Sequence, residues 1–337
     1  MEGLPDMSQA PYLPDEYPIE QIPDTPSWSE NYALMGADPA TRKGLFFGTG
    51  RWHGDPSIWR ELMLVALPDE RIIFAKGYGR NGSEKGPGGA FARLDVVQPG
   101  RRLRLTYDGP VWQSTYQELF AVGFRDGATR RCKLDVVFES TLPIWNMKGD
   151  SPGAANVAGG IHVEQIGQIN GQVEYADEMH YFSGGYSIRD HSRGPRDISR
   201  YKSHCWTSGY FAARDTAYYV YAMRMQDIPG LGMSNAAIVR GGRCYPATVV
   251  KIDLPERIED VKALVCLDLT SGLGDMRIEV LEMLARIPTG MVCPYDTTVG
   301  IHASQSCVAF TDGPTRIRWD GCEGFGWSEL GYAAEPL

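Results

Sequence analysis

The stretch HVEQIGQINGQVEYADEMHYF, residues 162–182, decides how the chain is read. It reads as a strand, a tight turn and a second strand, and Asn170-Gly171 is the strongest short hairpin signal in it. Similar runs lie on both sides. LRLTYDGPVWQ (103–113) surrounds Asp108-Gly109, and YFAARDTAYYVYAMRM (210–225) surrounds Arg214-Asp215. IVRGGRCYPATVVKIDL (238–254) turns at Gly241-Gly242, and VKALVCLDLTSGLGDMRIEVLEMLARI (261–287) turns at Ser271 to Asp275. SQSCVAFTDGPTRIRWDG (304–321) turns at Asp312-Gly313-Pro314. Turn signals this closely spaced leave room for strands but not for helices, which predicts an all-β chain of barrels or sandwiches. Only ATRKGLF (40–46) and PSIWRELM (56–63) suggest short helices.

A length of 337 residues suggests two domains of ordinary size. QDIPGLGMS (226–234), with Pro229 and two glycines, is the best linker. The expected division is an extended Pro-rich arm over 1–28, lying on the surface, then a first β domain over 29–228 and a second over 229–337. A net charge of −9 argues against a nucleic-acid groove, which needs a basic field. Seven scattered cysteines without a CxxC argue against a disulfide framework and a zinc knuckle. The first 26 residues lack the basic start and apolar run of a signal peptide, and no window approaches the roughly 18 apolar residues of a membrane span. The expectation is a cytoplasmic protein without a membrane span, either monomer or homodimer.

No GxSxG, P-loop or HExxH occurs, and the glycines around Gly77 and Gly159 lack the strand–helix context of a dinucleotide site. The chemistry concentrates instead in YSIRDHSRGPRD (186–197), which follows the hairpin. Upstream, His162 and Glu164 are two apart and share one strand face, while Gln165 takes the other. Downstream, YKSHCWTSGYF (201–211) puts His204 and Trp206 on one face. A carboxylate beside an imidazole fixes its tautomer, and an Asp in an apolar cavity becomes a proton donor. Asp190 is therefore the expected donor, with His191, or His162 oriented by Glu164, as its partner base. Arg189 and Arg196 would tune the charge, and Tyr186, His204 and Trp206 would line the pocket. Such steps need no metal or organic cofactor. The alternatives are ion pairs that brace a loop, the reading favoured for Arg196 and Asp197, and a metal held by His162, Glu164, His191 and His204.

HVEQ…NGQ…GGYSIRDHSRGPRD…HCWTSGYF resembles the core of the AttH and carotenoid 1,2-hydratase superfamily, which in turn resembles kievitone hydratase and the lipocalin-like Diels–Alderases. The resemblance implies two tandem lipocalin-like β-barrel or sandwich domains with few short helices and a pocket at or near their interface. It places Asp190 on the acid position of the motif, with Arg189, His191, Gly194 and Arg196 in the charged block. Arg193 stands where relatives usually carry Trp. Gly324-Phe325-Gly326-Trp327-Ser328-Glu329 resembles the last strand of the second domain. The implied function is cofactor-independent acid–base chemistry of the lyase or isomerase type: hydration, dehydration, isomerisation or cyclisation. Its substrate would be a hydrophobic terpenoid, steroid or polyketide-like molecule. The rival reading is a non-catalytic carrier of such a molecule.

Overall fold

The computed structural model describes residues 16–147, 161–196, 198–292, 295–301 and 307–335. The first half holds β1 (Trp28–Asp38), β2 (Lys43–Trp52), β3 (Asp55–Ala66), β4 (Arg71–Gly79), β5 (Ala92–Gln98) and β6 (Arg102–Thr115). Then come α1 (Tyr116–Val122), β7 (Arg130–Ser140), β8 (Trp145–Asn146), β9 (Ile161–Tyr175) and β10 (Glu178–Pro195). The antiparallel order β10-β1-β2-β3-β4-β6-β7-β9 returns to β10, which closes a barrel of eight strands. β5 pairs with β6 and β8 with β9, outside this ring.

The second half holds β11 (Tyr201–Phe211), β12 (Thr216–Met225), β13 (Ile228–Arg240), β14 (Arg243–Ile252), β15 (Cys266–Ser271) and β16 (Gly274–Met283). It ends with β17 (Ile287–Val292), β18 (Asp296–Thr298), β19 (Cys307–Trp319) and β20 (Cys322–Ala334). β19 pairs with β16 and closes a second eight-stranded barrel, with β17 and β18 appended. The fold is thus all-β, two barrels in tandem. The boundary differs from the expectation. The chain passes from one barrel to the other between Pro195 and Tyr201, and Pro229 lies near the start of β13 inside the second barrel.

Three sequence turn signals fall inside strands. β9 runs straight through Asn170-Gly171, and the hairpin turns instead at Ala176-Asp177, both at positive φ. A Cβ on Gly171 would lie 2.2 Å from the Asp135 carbonyl oxygen, so this glycine admits the neighbouring strand β7. Asp312-Gly313-Pro314 lies within β19, where a Cβ on Gly313 would meet the Ala285 carbonyl oxygen at 2.0 Å; the turn is at Asp320-Gly321. Asp108-Gly109 lies within β6. The Arg214-Asp215, Gly241-Gly242 and Ser271–Asp275 turns are where the sequence places them.

Neither helix-like segment is a helix: ATRKGLF is a turn that enters β2 at Lys43, and the other is all strand. PSIWRELM belongs to β3, whose last eight residues are all buried, because one face fills its own barrel and the other meets the second barrel. Burial on both faces removes the alternation that marks a half-exposed strand. α1 escaped the sequence reading, although Thr115-x-x-Glu118 has capping-box spacing and Thr115 Oγ1 accepts from the Glu118 amide at 3.3 Å.

Leu34, Phe47, Met63, Leu105 and Phe138 fill the first barrel's interior. The second barrel's core is continuous with the seam between barrels, where Met35, Leu62, Ile166 and Ile188 point outward from the first. Buried polar contacts cross the seam: Tyr219 Oη accepts from the Ile166 amide at 2.9 Å, and Tyr186 and Ser208 hydroxyls meet at 2.8 Å. The arm is not simply a surface strap, since Glu16 is fully buried; residues 1–15 lie outside the described residues. No helix among the described residues is long and apolar enough to cross a membrane.

Candidate functional site

Strand alternation divides the charged cluster between two environments. Arg189, His191 and Arg193 point into the first barrel, while Asp190 and Ser192 point out to the seam. Inside the barrel, Arg189 Nη1 lies 2.7 Å from Glu16 Oε1, and its Nη2 donates to Gln165 Oε1 at 2.9 Å. Arg193 Nε donates to Glu30 Oε1 at 2.7 Å, and Arg51 Nε donates to Glu30 Oε2 at 2.9 Å. His191 stacks on Tyr32 at 3.8 Å and lies 3.5 Å from Glu30. Burial opposes ionisation of Glu30, but the hydrogen bond from His191 and the charges of Arg193 and Arg51 prevail and bring its pKa to about 2. Arg189 and His191 therefore do not border the seam cavity, and the cation at Arg193 lies outside it as well.

The seam encloses a cavity of about 120 Å³ between the outer faces of the two barrels. Met35, Phe46, Leu62, His162, Asp190 and Arg196 contribute from the first barrel and the segment leaving it. Across from them stand His204, Trp206, Tyr221, Phe310 and Glu329. His162 Nε2 lies 3.1 Å from Asp190 Oδ2 and 3.9 Å from Glu164 Oε1. On the opposite wall, His204 Nε2 lies 2.6 Å from Glu329 Oε1, with the imidazole stacked on Tyr221. Each wall therefore presents one histidine–carboxyl pair.

Behind each pair sits a second buried carboxyl held by an indole. Trp206 Nε1 donates to Glu164 Oε1 at 2.8 Å, across the seam. Trp327 Nε1 donates to Asp312 Oδ1 at 3.2 Å, and Thr289 Oγ1 donates to Asp312 Oδ2 at 2.5 Å. Burial pushes both carboxyls well above their usual range, and the indole donors offset only part of this. Glu329 is raised to about 7, chiefly by burial, against a hydrogen bond with Asp312 and with help from the charge of Asp190. Burial lowers His204 to about 4. The His204–Glu329 pair is thus biased towards neutrality, with the proton on the carboxyl.

Arg196 closes one side. Its Nη1 donates to Tyr295 Oη at 2.9 Å, and its Nη2 donates to Ser192. Tyr186 is buried at the seam against Ser208 and does not border the cavity. Trp206 does. The metal set does not converge, because His191 faces the other side of β10; among the described residues no such cluster is arranged to hold a metal. Asp197 and His302 lie outside the described residues. The sequence reading missed Glu329, Asp312, Tyr221 and Phe310. A signal was present in Glu329 itself, a carboxyl two residues from Trp327 on a strand of the resembled type.

The sequence matches the family DUF7064, a domain of unknown function, over residues 14–333, and the chain belongs to that family. A comparison with curated proteins finds no match. Among solved structures, an AttH-type protein from Nitrosomonas europaea superposes with a TM-score of 0.52 at 14% identity, over 92% of this chain and 97% of that one. Kievitone hydratase from Nectria haematococca gives 0.53 at 10% identity, over 90% and 88%. CghA with Sch210972 gives 0.55 at 11% identity, over 98% of each chain. At these identities the likeness shows the fold, two lipocalin-like barrels in tandem, as the sequence resemblance implied.

Proposed function

We propose that the protein is an enzyme that moves protons to and from a hydrophobic small molecule held in the cavity between its barrels, without an organic cofactor. The carrying observation is the pair of histidine–carboxyl couples facing one cavity from opposite barrels. Glu329, raised to about 7, is the proton donor. The His162–Asp190 couple is the acceptor, and Glu164 and Trp206 hold His162 in place. This moves the donor role from Asp190 to Glu329.

In a hydration, Glu329 would give its proton to an alkene carbon. His162 would take a proton from the attacking water as the C–O bond forms, for a net addition of H2O. Dehydration is the reverse, and isomerisation uses the same two transfers at carbon. The similarity in fold to kievitone hydratase supports a lyase or isomerase reading. The cavity approaches the roughly 150 Å³ that holds a benzene-sized guest. It therefore suits a small alkene, enone or allylic alcohol, or the reacting end of a terpenoid or polyketide-like molecule. A carrier would need apolar walls and one anchor, not two opposed proton-transfer pairs.

The test is solvent deuterium. Enones and allylic alcohols incubated with the protein in D2O are expected to gain carbon-bound deuterium, read by mass spectrometry. Saturable binding with no deuterium above the protein-free rate would identify a carrier instead.

A further inference from the structure

A second cleft lies beside the first, beyond β18. It encloses about 400 Å³ and is walled by Phe74, Trp112, Phe124, Tyr78, Val299 and Ile301. Phe74 and Trp112 stack at 6.0 Å, and Phe124 stands edge-on to both, at 5.7 Å and 4.9 Å. These rings form an aromatic corner with a broad open face. Phe124 is 47% exposed and Tyr78 44% exposed, so both rings are open to the cleft's mouth.

Lys76 and the Trp112 indole bring N–H donors to the lining of this cleft. Asp296 is the shared carboxylate of two cations: Lys76 Nζ lies 3.1 Å from its Oδ2 and Arg60 Nε 3.7 Å from its Oδ1. Tyr78 Oη also donates to it at 2.5 Å. Of these charges only Lys76 borders the cleft, since Arg60 is buried and lines the first cavity. The buried Trp112 Nε1 has no acceptor among the described residues. Lys76 keeps part of its surface exposed beside the rings, and the unpaired indole N–H belongs to the same aromatic corner.

We propose that this cleft is a second small-molecule site, for a planar aromatic or conjugated ligand that carries an acidic or carbonyl oxygen. The rings would stack on Phe74, Trp112 and Phe124, and the oxygen would meet Lys76 or the Trp112 N–H. Size separates the two sites, about 400 Å³ here against about 120 Å³ in the first cavity, so this cleft admits fused rings. The site stands independently of the reaction proposed for the first cavity.

The probe is 8-anilinonaphthalene-1-sulfonate, fused rings with one anion, followed by its fluorescence and by isothermal calorimetry. One equivalent is expected to bind saturably. Phe124→Ala, at a half-exposed ring, should weaken it by about tenfold, the equivalent of one aromatic contact. Lys76→Met should weaken it as well, whereas both variants should bind uncharged naphthalene with the same ratio to each other as their ring contacts dictate: Phe124→Ala weaker than wild type, Lys76→Met equal to it. His162→Gln, in the first cavity, should leave sulfonate binding unchanged. Binding that ignores Phe124→Ala, or is lost in His162→Gln, would overturn the proposal, as would absence of a saturable site.

Discussion

Glu329→Gln is expected to lower turnover by about 10²–10⁴ on any substrate found by deuterium exchange, the usual contribution of a general acid. Gln keeps the size and a hydrogen-bonding group but cannot yield the proton. Asp190→Asn should fall by a comparable factor, because the His162 couple loses its carboxylate while the cavity keeps its shape. A stability readout distinguishes chemistry from bracing. Glu329 binds its proton more tightly folded than unfolded, so between its ordinary 4.5 and about 7 it makes stability fall as pH rises. His204 is lowered from 6.5 to about 4, so over that window it makes stability rise with pH. In the wild type the two contributions oppose each other between about 4.5 and 6.5. In Glu329→Gln the opposing Glu329 contribution is gone while that of His204 stays, so stability should climb more steeply with pH across that interval than in the wild type. Near-wild-type turnover in the folded variant would return the donor role to Asp190.

The largest stability effect is expected at Arg189, the residue withdrawn from the site. Its guanidinium is almost wholly buried against Glu16 and Gln165. Arg189→Met keeps the apolar stem and removes the charge, leaving the buried Glu16 carboxylate without its cation. Breaking one side of a buried pair typically costs about 3–5 kcal/mol. Chemical denaturation should show a loss of that order, with Glu16→Gln/Arg189→Met recovering part of it. Activity of the folded fraction should be retained, since both residues lie on the far side of β10 from the cavity. A loss of turnover at unchanged stability would put Arg189 back in the site.

The all-β tandem architecture was legible because turn residues recur at strand intervals. What misled the eye was glycine inside strands. Gly171 and Gly313 look like turn residues beside Asn170 and Asp312, yet they make room for a carbonyl of a neighbouring segment. β3 hid as a helix because both of its faces are buried. That His162, Asp190, His204 and Trp206 border one cavity of the candidate site was legible because β9, β10 and β11 are consecutive and straddle the seam. Their alternation also separates His162 and Glu164 from Gln165 correctly, but Asp190 and His191, read together, face opposite sides of one strand. Asp312 and Glu329 were not legible as site residues. They come from β19 and β20, more than 100 residues later, and only the closing of the second barrel brings Glu329 to the cavity with Asp312 behind it.

In the proposed reaction a protonated Glu329 carboxyl waits in the cavity near neutral pH, opposite the His162–Asp190 couple. Infrared difference spectroscopy of the wild type against Glu329→Gln reads it directly, since the protonated carboxyl has its own C=O stretch; the same subtraction in an Asp312→Asn background removes the band of Asp312, whose proton is coupled to Glu329. The difference band should titrate with a midpoint near 7. A midpoint near the ordinary 4.5, or no protonated band assignable to Glu329 at pH 6, would contradict the account.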